Sequence, residues 1–295
     1  MRVTHRMMSD TTIRNIRSNL NKLETLQDHI TSGKRLSRPS DDPAAVARAL
    51  TYTSDIAAGE SYLRTMDSSL SWMNATDSAL SDAGDLLQRG RELAVQGANG
   101  GTMTPDDMKR IGAEVDNLLK QVVVTGNASL RGQRLFAGQD VDSDPFQATG
   151  TLPGYTYSGD TGDMRREYDQ NAYLTINTPG EATFAPAITA LMNLRDHLNA
   201  GDFTTISATD IAAIDGAMDT ILSARADVGA KVNRVEAAQA RQELLQVNLE
   251  DLRSKAEDTD FAEAVSKFAI QETVYNASLQ VGSKAIQPSL LDYLR

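Results

Sequence analysis

The chain has 295 residues and a net charge of −11, from 29 Lys and Arg against 40 Asp and Glu. It contains no cysteine, which excludes disulfides and thiolate metal sites. The acidic excess argues against general nucleic-acid binding, because phosphate backbones attract clustered Lys and Arg. No apolar run in the sequence reaches the roughly 20 residues that span a bilayer. We therefore expect no nucleic-acid partner and no membrane partner.

Two further features of the composition bear on function. Aromatic residues make up only 5% of the chain, which favours long helical packing over a deep enzyme cleft. The stretch from Met1 to Arg6 lacks the apolar core of a secretory signal. We therefore expect that the general secretion route is not used.

The first predicted helix runs from Met7 to about Ile30. Its apolar residues recur at intervals of three and four, interrupted by the polar Gln27, and this spacing indicates an a/d seam. Gly33 is well suited to end the helix. The seam residues that we predict to form an assembly interface are Ile13, Ile16, Leu20, Leu23 and Ile30.

A long helix is predicted next, from Pro43 to about Val95, with Asp42 as its N-cap. The heptad spacing continues along it through Leu63, Met66, Leu70, Met73, Leu80 and Leu87. The stretch Gly97–Gly101 predicts a reversal of the chain. Thr104 and Asp107 then predict a capped helix that extends toward Ala128.

The amino-acid composition changes between residues 133 and 186, where Gly and Pro recur and four of the eight tyrosines lie. Short extended runs are separated by turn signals such as Gly159-Asp160. The predicted strands are Tyr155–Tyr157, Arg166–Tyr168 and Tyr173–Ile176. We expect a small β-rich insertion here, and we expect helical structure to return after Pro186.

Two further helices are predicted in the C-terminal part. One has a regular seam from Ile211 through Val235 toward Leu249. The last runs from Asp260 to about Ile286, and Pro288 ends it. The residues predicted to share its interface face are Phe261, Val265, Phe268, Tyr275 and Leu279.

No arrangement of residues indicates catalysis. The histidines His5, His29 and His197 are isolated, and nothing in their spacing suggests metal ligation. Asp140, Asp142 and Asp144 alternate, but the Gly and distant Glu of a calcium-binding loop are missing. We therefore predict that the protein is not an enzyme and that it has no cofactor and no metal site.

The terminal seams need partners, because an exposed apolar stripe on a helix is unstable in water. One possibility is self-association along the stripes, which produces helical filaments or layers when the contacts do not close. The other is a helical bundle in which both ends fold back on the core. The physical argument weighs these two about evenly.

Several stretches resemble the flagellin superfamily, and more closely its hook-associated protein 3 of the hook–filament junction. They cover both helical ends: Ile30–Leu36 with Pro39–Ala45, Ala224–Val235, and Glu257–Val265. Arg134–Gly138 with Asp144–Phe146, and Tyr157–Gly162, resemble the middle region of the junction protein. The ending Gln287–Arg295 is similar to the tails of both groups.

The resemblance implies a structural protein that forms a junction layer between hook-associated protein 1 and the first flagellin subunits. It also implies export through the flagellar type III system to the outside of the cell, contact with a cytosolic flagellar export chaperone, and self-association in the layer. Filament flagellin itself and a coiled-coil scaffold unrelated to flagella remain as alternatives.

The expected fold is mainly α, an elongated helical rod with long antiparallel helices, terminal coiled-coil helices and a small β-rich inserted domain. We expect three domains. Residues 1–42 and 256–295 form the terminal coiled-coil assembly domain, residues 43–132 and 187–255 the long-helix rod domain, and residues 133–186 the small outer domain.

Overall fold

The computed structural model describes residues 5–36, 38, 40–99, 103–149 and 154–286. Gly97 and Ala98, the first residues of the predicted reversal, are helical, so the chain turns later than predicted. Gly100 and Gly101 of that reversal and the predicted helix end at Pro288 lie outside the described residues. The chain divides into two compact units, each described here by itself. Unit 1 comprises Met1–Ala58 and Leu245–Arg295, and unit 2 comprises Gly59–Leu244.

The described chain is mainly helical, with a small strand-bearing insertion, which confirms the predicted fold class. The helices in chain order are α1 (His5–Ser32), α2 (Pro43–Ala98), α3 (Pro105–Gly126), α4 (Gly180–Ala200), the single turn α5 (Phe203–Thr205), α6 (Ile211–Glu257) and α7 (Phe261–Ile286). A π-helical turn, Ile206–Asp210, joins α5 to α6.

The predicted end of α1 and the predicted starts of α2 and α3 are confirmed by their caps. Gly33 follows α1 with a φ of +71°, the left-handed conformation that glycine adopts without a steric cost. Asp42 accepts a hydrogen bond from the Ala45 backbone N–H at 3.0 Å, directly before Pro43. Thr104 and Asp107 form a reciprocal capping box at the start of α3.

Within unit 2, α2 and α6 pack as an antiparallel pair whose innermost residues are seven apart. On α2 they are Met66, Met73, Leu80 and Leu87, and on α6 they are Ile214, Ile221, Val228 and Val235, all of them buried. Ion pairs join the two helices, between Asp77 and Arg225 at 3.0 Å and between Arg91 and Asp215 at 2.6 Å. The heptad spacing read from the sequence therefore forms the centre of this unit.

Helices α3 and α4 pack on each other and complete the unit 2 core. Gly90 of α2 allows Leu191 of α4 to approach closely, because an added Cβ at Gly90 would lie 2.7 Å from the Leu191 Cδ2. Phe184 of α4 is fully buried beside Phe136, with ring centres 4.7 Å apart in an edge-on arrangement. Unit 2 thus has a core of several layers.

The strands of the described residues form three separate two-stranded antiparallel sheets: β1 (Ser129–Leu130) with β2 (Gln133–Arg134), β3 (Phe146–Ala148) with β4 (Tyr155–Tyr157), and β5 (Arg165–Asp169) with β6 (Ala172–Thr175). The prediction for β4 is confirmed. Strand β5 is one residue longer than predicted at each end, and β6 begins and ends one residue before the predicted strand.

The predicted return of helix after Pro186 is wrong. Helix α4 begins at Gly180, and Pro186 lies inside it. A proline inside a helix removes one backbone hydrogen bond and is destabilising. Burial of the neighbouring Phe184, Ala187 and Ile188 offsets that cost. The strands therefore span Ser129–Thr175, so the segment that we predicted as residues 133–186 begins too late and ends too late.

The link between α4 and α6 is held by a carboxylate at its start. Asp202 accepts hydrogen bonds from the Thr204 hydroxyl at 2.6 Å, and from the Thr205 backbone N–H at 3.1 Å and hydroxyl at 2.6 Å. These bonds lower the pKa of Asp202 to about 2. The charged form of this side chain therefore organises the turn into α6.

Candidate assembly interface

In unit 1, α1 and α7 pack against each other as the terminal pair. The α1 residues that are at least half-buried and recur at steps of four and three are Thr12, Ile16, Asn19, Leu23, Leu26 and Ile30. The corresponding residues of α7 are Ala264, Phe268, Gln271, Tyr275, Ser278 and Gly282. Each series is a continuous heptad seam, as expected for two helices that pack lengthwise.

Two contacts set the register of the terminal pair. An added Cβ at Gly282 would lie 3.1 Å from both the Ile16 Cδ1 and the Thr12 Cγ2, so the helices approach closely there. The Gln271 side-chain amide donates to the Asn19 backbone carbonyl at 3.3 Å and lies 3.4 Å from its side-chain oxygen. A polar pair inside an apolar seam favours one alignment, because other alignments leave both groups without partners.

The predicted interface residues divide into two groups in the structure. Six are half-buried within the terminal pair: Ile16, Leu20, Leu23, Ile30, Phe268 and Tyr275. The other four are exposed, with fractions of 40% for Ile13, 61% for Phe261, 42% for Val265 and 41% for Leu279. The structure thus assigns the first group to the contact between α1 and α7. A role in contacts between subunits stays a prediction for all ten.

Our sequence interpretation placed the α1 seam slightly off its true position. Ile13 and Gln27 are exposed at the edge of the seam, whereas Thr12, Asn19 and Leu26 belong to it. The sequence does not distinguish Thr12 and Asn19 as seam residues, because both side chains are polar. Leu26 could have been found, since it completes the spacing of four and three with Leu23 and Ile30.

Sequence reasoning also missed a second apolar surface on α7. Ile270, Val274 and Val281, which we call the outer stripe, have exposed fractions of 63%, 43% and 65%. At 100° per residue they lie on one flank of the α7 seam, whereas Phe261, Val265 and Leu279 lie on the other flank. Their spacing of four and seven was the available signal. Helix α7 therefore presents apolar side chains on both sides of its contact with α1.

A groove of about 560 Å³ lies beside the outer stripe, between α1 and α7. Leu26 and Ile270 contribute apolar side chains to it, and Lys22 and Lys267 contribute ammonium groups. The Lys267 ammonium also pairs with Glu263 at 2.8 Å, one helical turn earlier. This mixture of apolar and charged groups is typical of a surface that packs against another helix.

The segment after α1 is tied to the link between α6 and α7. The Arg35 backbone N–H donates to the Glu257 carbonyl at 2.8 Å, and the Thr259 N–H donates to the Gly33 carbonyl at 3.0 Å. The Lys34 ammonium pairs with the Glu257 carboxylate, and the Arg35 guanidinium donates to the Ala256 carbonyl at 3.1 Å. Two of the stretches that resemble the flagellin superfamily are therefore direct neighbours in the fold.

Among the residues that the structure describes, no group of three or more His, Asp or Glu side chains is placed to hold a metal ion. No helix within the described ranges is both long and apolar enough to cross a membrane.

Two family models match this chain. The bacterial flagellin N-terminal helical region matches residues 3–140, and the bacterial flagellin C-terminal helical region matches residues 211–294. Together they cover both ends and most of the chain. The chain belongs to the bacterial flagellin family. In this flagellin-family protein, the terminal pair and the α2–α6 pair both lie largely inside the matched regions.

Curated relatives of this flagellin-family protein have different names at similar identity. Flagellar hook-associated protein 3 of Escherichia coli is 22% identical, with 94% of this chain and 95% of the relative covered. A flagellar filament 30.7 kDa core protein of Treponema maltophilum is 24% identical, with 97% and 96% covered. Both matches extend over nearly the full length.

Solved structures share the fold. The flagellar junction protein FlgL from Legionella pneumophila superposes with a TM-score of 0.60 at 16% identity. The match covers 73% of this chain and 100% of that one. At this identity the likeness shows a common fold.

Proposed function

We propose that this chain is a structural protein of the flagellum that forms the junction layer between the hook side and the flagellin filament. The observation that supports it most is the terminal pair, which closes one seam and leaves apolar flanks exposed on both sides of α7. The full-length relative named hook-associated protein 3 and the fold of the Legionella junction protein support the position in the flagellum.

Assembly on this proposal proceeds by burial of the exposed flanks against neighbouring subunits. Phe261, Val265 and Leu279 form one flank of α7, and the outer stripe forms the other. Complete burial of one such side chain is worth about 1.5–3 kcal/mol. Each subunit repeats the contact around the layer, so a modest energy per residue becomes a stable assembly.

We propose the same three domains, with the same roles, that we predicted from the sequence. Residues 1–42 and 256–295 form the assembly domain, residues 43–132 and 187–255 the long-helix domain, and residues 133–186 the outer domain. The outer domain so bounded includes the first turns of α4, which begins at Gly180.

The proposed partners follow from position in the layer. Other copies of this chain form the layer, hook-associated protein 1 lies on one side of it and flagellin on the other. A cytosolic flagellar export chaperone binds the chain before export through the flagellar type III system. Its final location is then extracellular, on the flagellum. The resemblance to hook-associated protein 3 supports these partners.

Filament flagellin is the second candidate function. The Treponema maltophilum relative, a filament core protein, is as similar to this chain as the E. coli relative is. Membership of the flagellin family argues against the third possibility, a scaffold unrelated to flagella.

Immunogold electron microscopy of intact flagella separates the two candidates. We expect gold particles in one band where the hook meets the filament, and no label in a strain that lacks the gene. A second antibody against the strain's flagellin provides the matched control along the filament. Label from this chain along the whole filament would contradict the junction proposal and support the flagellin alternative.

A further inference from the structure

The hairpin formed by β5 and β6 has two chemically different faces. Tyr168 and Leu174 are buried, with 9% and 8% exposed, and belong to the continuous apolar core of unit 2. On the solvent side, the Arg165 guanidinium lies 5.4 Å from the ring centre of Tyr173, and both residues are exposed. The hairpin therefore rests on the helices through one face only.

A β-bulge interrupts the pairing of β5 with β6 at Tyr168. Glu167 pairs with Tyr173, and Asp169 pairs with Ala172, so Tyr168 has no direct partner on β6. An extra residue of this kind is left unpaired and bends the strand. The bulge thus releases Tyr168 from the ladder at the position where its ring enters the core.

The hairpin contacts α6 directly, and its carboxylates influence a tyrosine of α2. On α6, the Arg234 guanidinium donates to the Tyr168 hydroxyl at 2.7 Å and lies 5.4 Å from its ring centre. On α2, desolvation, followed by the carboxylates of Glu167 and Asp169, raises the pKa of Tyr62 above its ordinary value. The direct contact of the hairpin with a long helix is therefore the one between Tyr168 and Arg234 of α6.

We propose that the β5–β6 hairpin is a clasp, a segment that packs on the α2–α6 pair and can open locally. The contact between Arg234 and Tyr168 holds the clasp closed. When the contact between Arg234 and Tyr168 is broken, the hairpin separates from the helices as a local unit and exposes Tyr168 and Leu174. Arg234 is itself an exposed residue, so its loss does not create a cavity in the core. This inference is independent of the proposed position in the flagellum.

Hydrogen exchange on the full chain tests the clasp. In Arg234→Ala, we expect amides of residues 165–175 to exchange about tenfold faster, because a hydrogen bond to a charged group is lost. The matched control is Arg165→Ala, which removes the same kind of arginine–tyrosine contact from the solvent face. It should change exchange in the hairpin by no more than about twofold.

A second variant and a second signal keep the test decisive. Tyr168→Phe removes only the hydroxyl and should accelerate exchange in the same residues, so it replaces Arg234→Ala if that chain does not fold. The single tryptophan, Trp72, is buried in unit 2, and its fluorescence should stay unchanged while the hairpin opens. Equal exchange rates in Arg234→Ala and Arg165→Ala would show that the contact between Arg234 and Tyr168 does not hold the hairpin closed. Faster exchange spread evenly over α2 and α6 would show that the hairpin does not open as a local unit.

Discussion

Unit 2 and the terminal pair of unit 1 use the same heptad spacing and bury it to different extents. In unit 2, Met73 and Leu80 of α2 are completely buried, as are Ile214 and Val228 of α6. In the α7 seam, only the small Ala264 and Gly282 are buried, while the large side chains stay half-exposed. The periodicity of a helix thus identifies its contact face but does not determine how completely that face is covered.

The difference has a structural cause. Residues of α2, α3, α4, α6 and the β5–β6 hairpin share one core, so the residues of the α2–α6 pair are enclosed from several directions. In unit 1, α7 packs lengthwise on α1, and the large side chains of this contact stay half-exposed. Two helices alone are marginally stable in water, and most helical stability comes from tertiary packing. The terminal pair is therefore suited to complete its burial in an assembly.

The largest expected effect comes from charging the outer stripe. The double variant Ile270→Asp, Val274→Asp should abolish incorporation into flagella, because each buried partner is worth about 1.5–3 kcal/mol and the loss is repeated in every subunit. The isolated chain should fold as before, since exposed substitutions usually change stability by less than about 0.5 kcal/mol. Complementation of motility and immunogold labelling would measure incorporation.

The matched control is Phe203→Asp, which charges an exposed apolar residue of unit 2 and should leave incorporation intact. Normal flagella with the double variant would show that the outer stripe is not an assembly surface. The comparison between the two units would then need another explanation for the exposed valines and isoleucine of α7.

The second prediction compares the same substitution in the two units. Phe184→Ala removes a ring packed against Phe136 and should reduce the free energy of unfolding of unit 2 by about 3–5 kcal/mol. Phe268→Ala removes an identical ring from the half-exposed seam and should leave that transition unchanged. Urea unfolding followed by Trp72 fluorescence reports on unit 2. Similar losses in both variants would mean that the units unfold together.

The third prediction concerns the close approach at Gly282. Gly282→Leu should destabilise the terminal pair by about 1–3 kcal/mol, because even a Cβ would lie 3.1 Å from Ile16 and Thr12. Gly229→Leu on α6 is the control: no atom lies within 4 Å of its Cβ position, so improved helix propensity should stabilise it slightly. Hydrogen exchange in α1 and α7 would measure the first effect. Unchanged protection there would contradict the close packing.

The sequence predicts elements with strong periodicity and local caps, and it fails where packing overrides local rules. The caps at Gly33, Asp42 and Thr104 depend on neighbouring residues only, and all three are confirmed. Pro186 is a local helix breaker, yet the buried face around Phe184 keeps it inside α4. No local pattern can measure that compensation, because it depends on residues distant in the chain.

The candidate site shows the same limit. Half-buried Ile16, Leu23 and Phe268 were predicted from spacing, whereas Asn19 and Gln271 were not, since a polar pair is recognised only when both helices are in place. The bulge at Tyr168 could not be predicted either, because the sequence does not show which residue of a strand lacks a partner. Register is a property of two segments together.

The smallest expected effect is the pH dependence of unit 2 at the turn into α6. Because its folded pKa is lowered to about 2, Asp202 stabilises the fold above its ordinary pKa of 3.8, and this contribution disappears as the pH falls through 2. Asp202→Asn should therefore be less stable than the parent at neutral pH, with a gap that closes on acidification. Thr204→Val removes one of the donors and should give a smaller gap of the same sign.

Urea unfolding by Trp72 fluorescence at neutral pH and near pH 2.5 measures both. A gap that widens on acidification would contradict the role of the charged carboxylate. A difference in stability that disappears on acidification would show that local capping by Asp202 stabilises unit 2 in addition to its buried core.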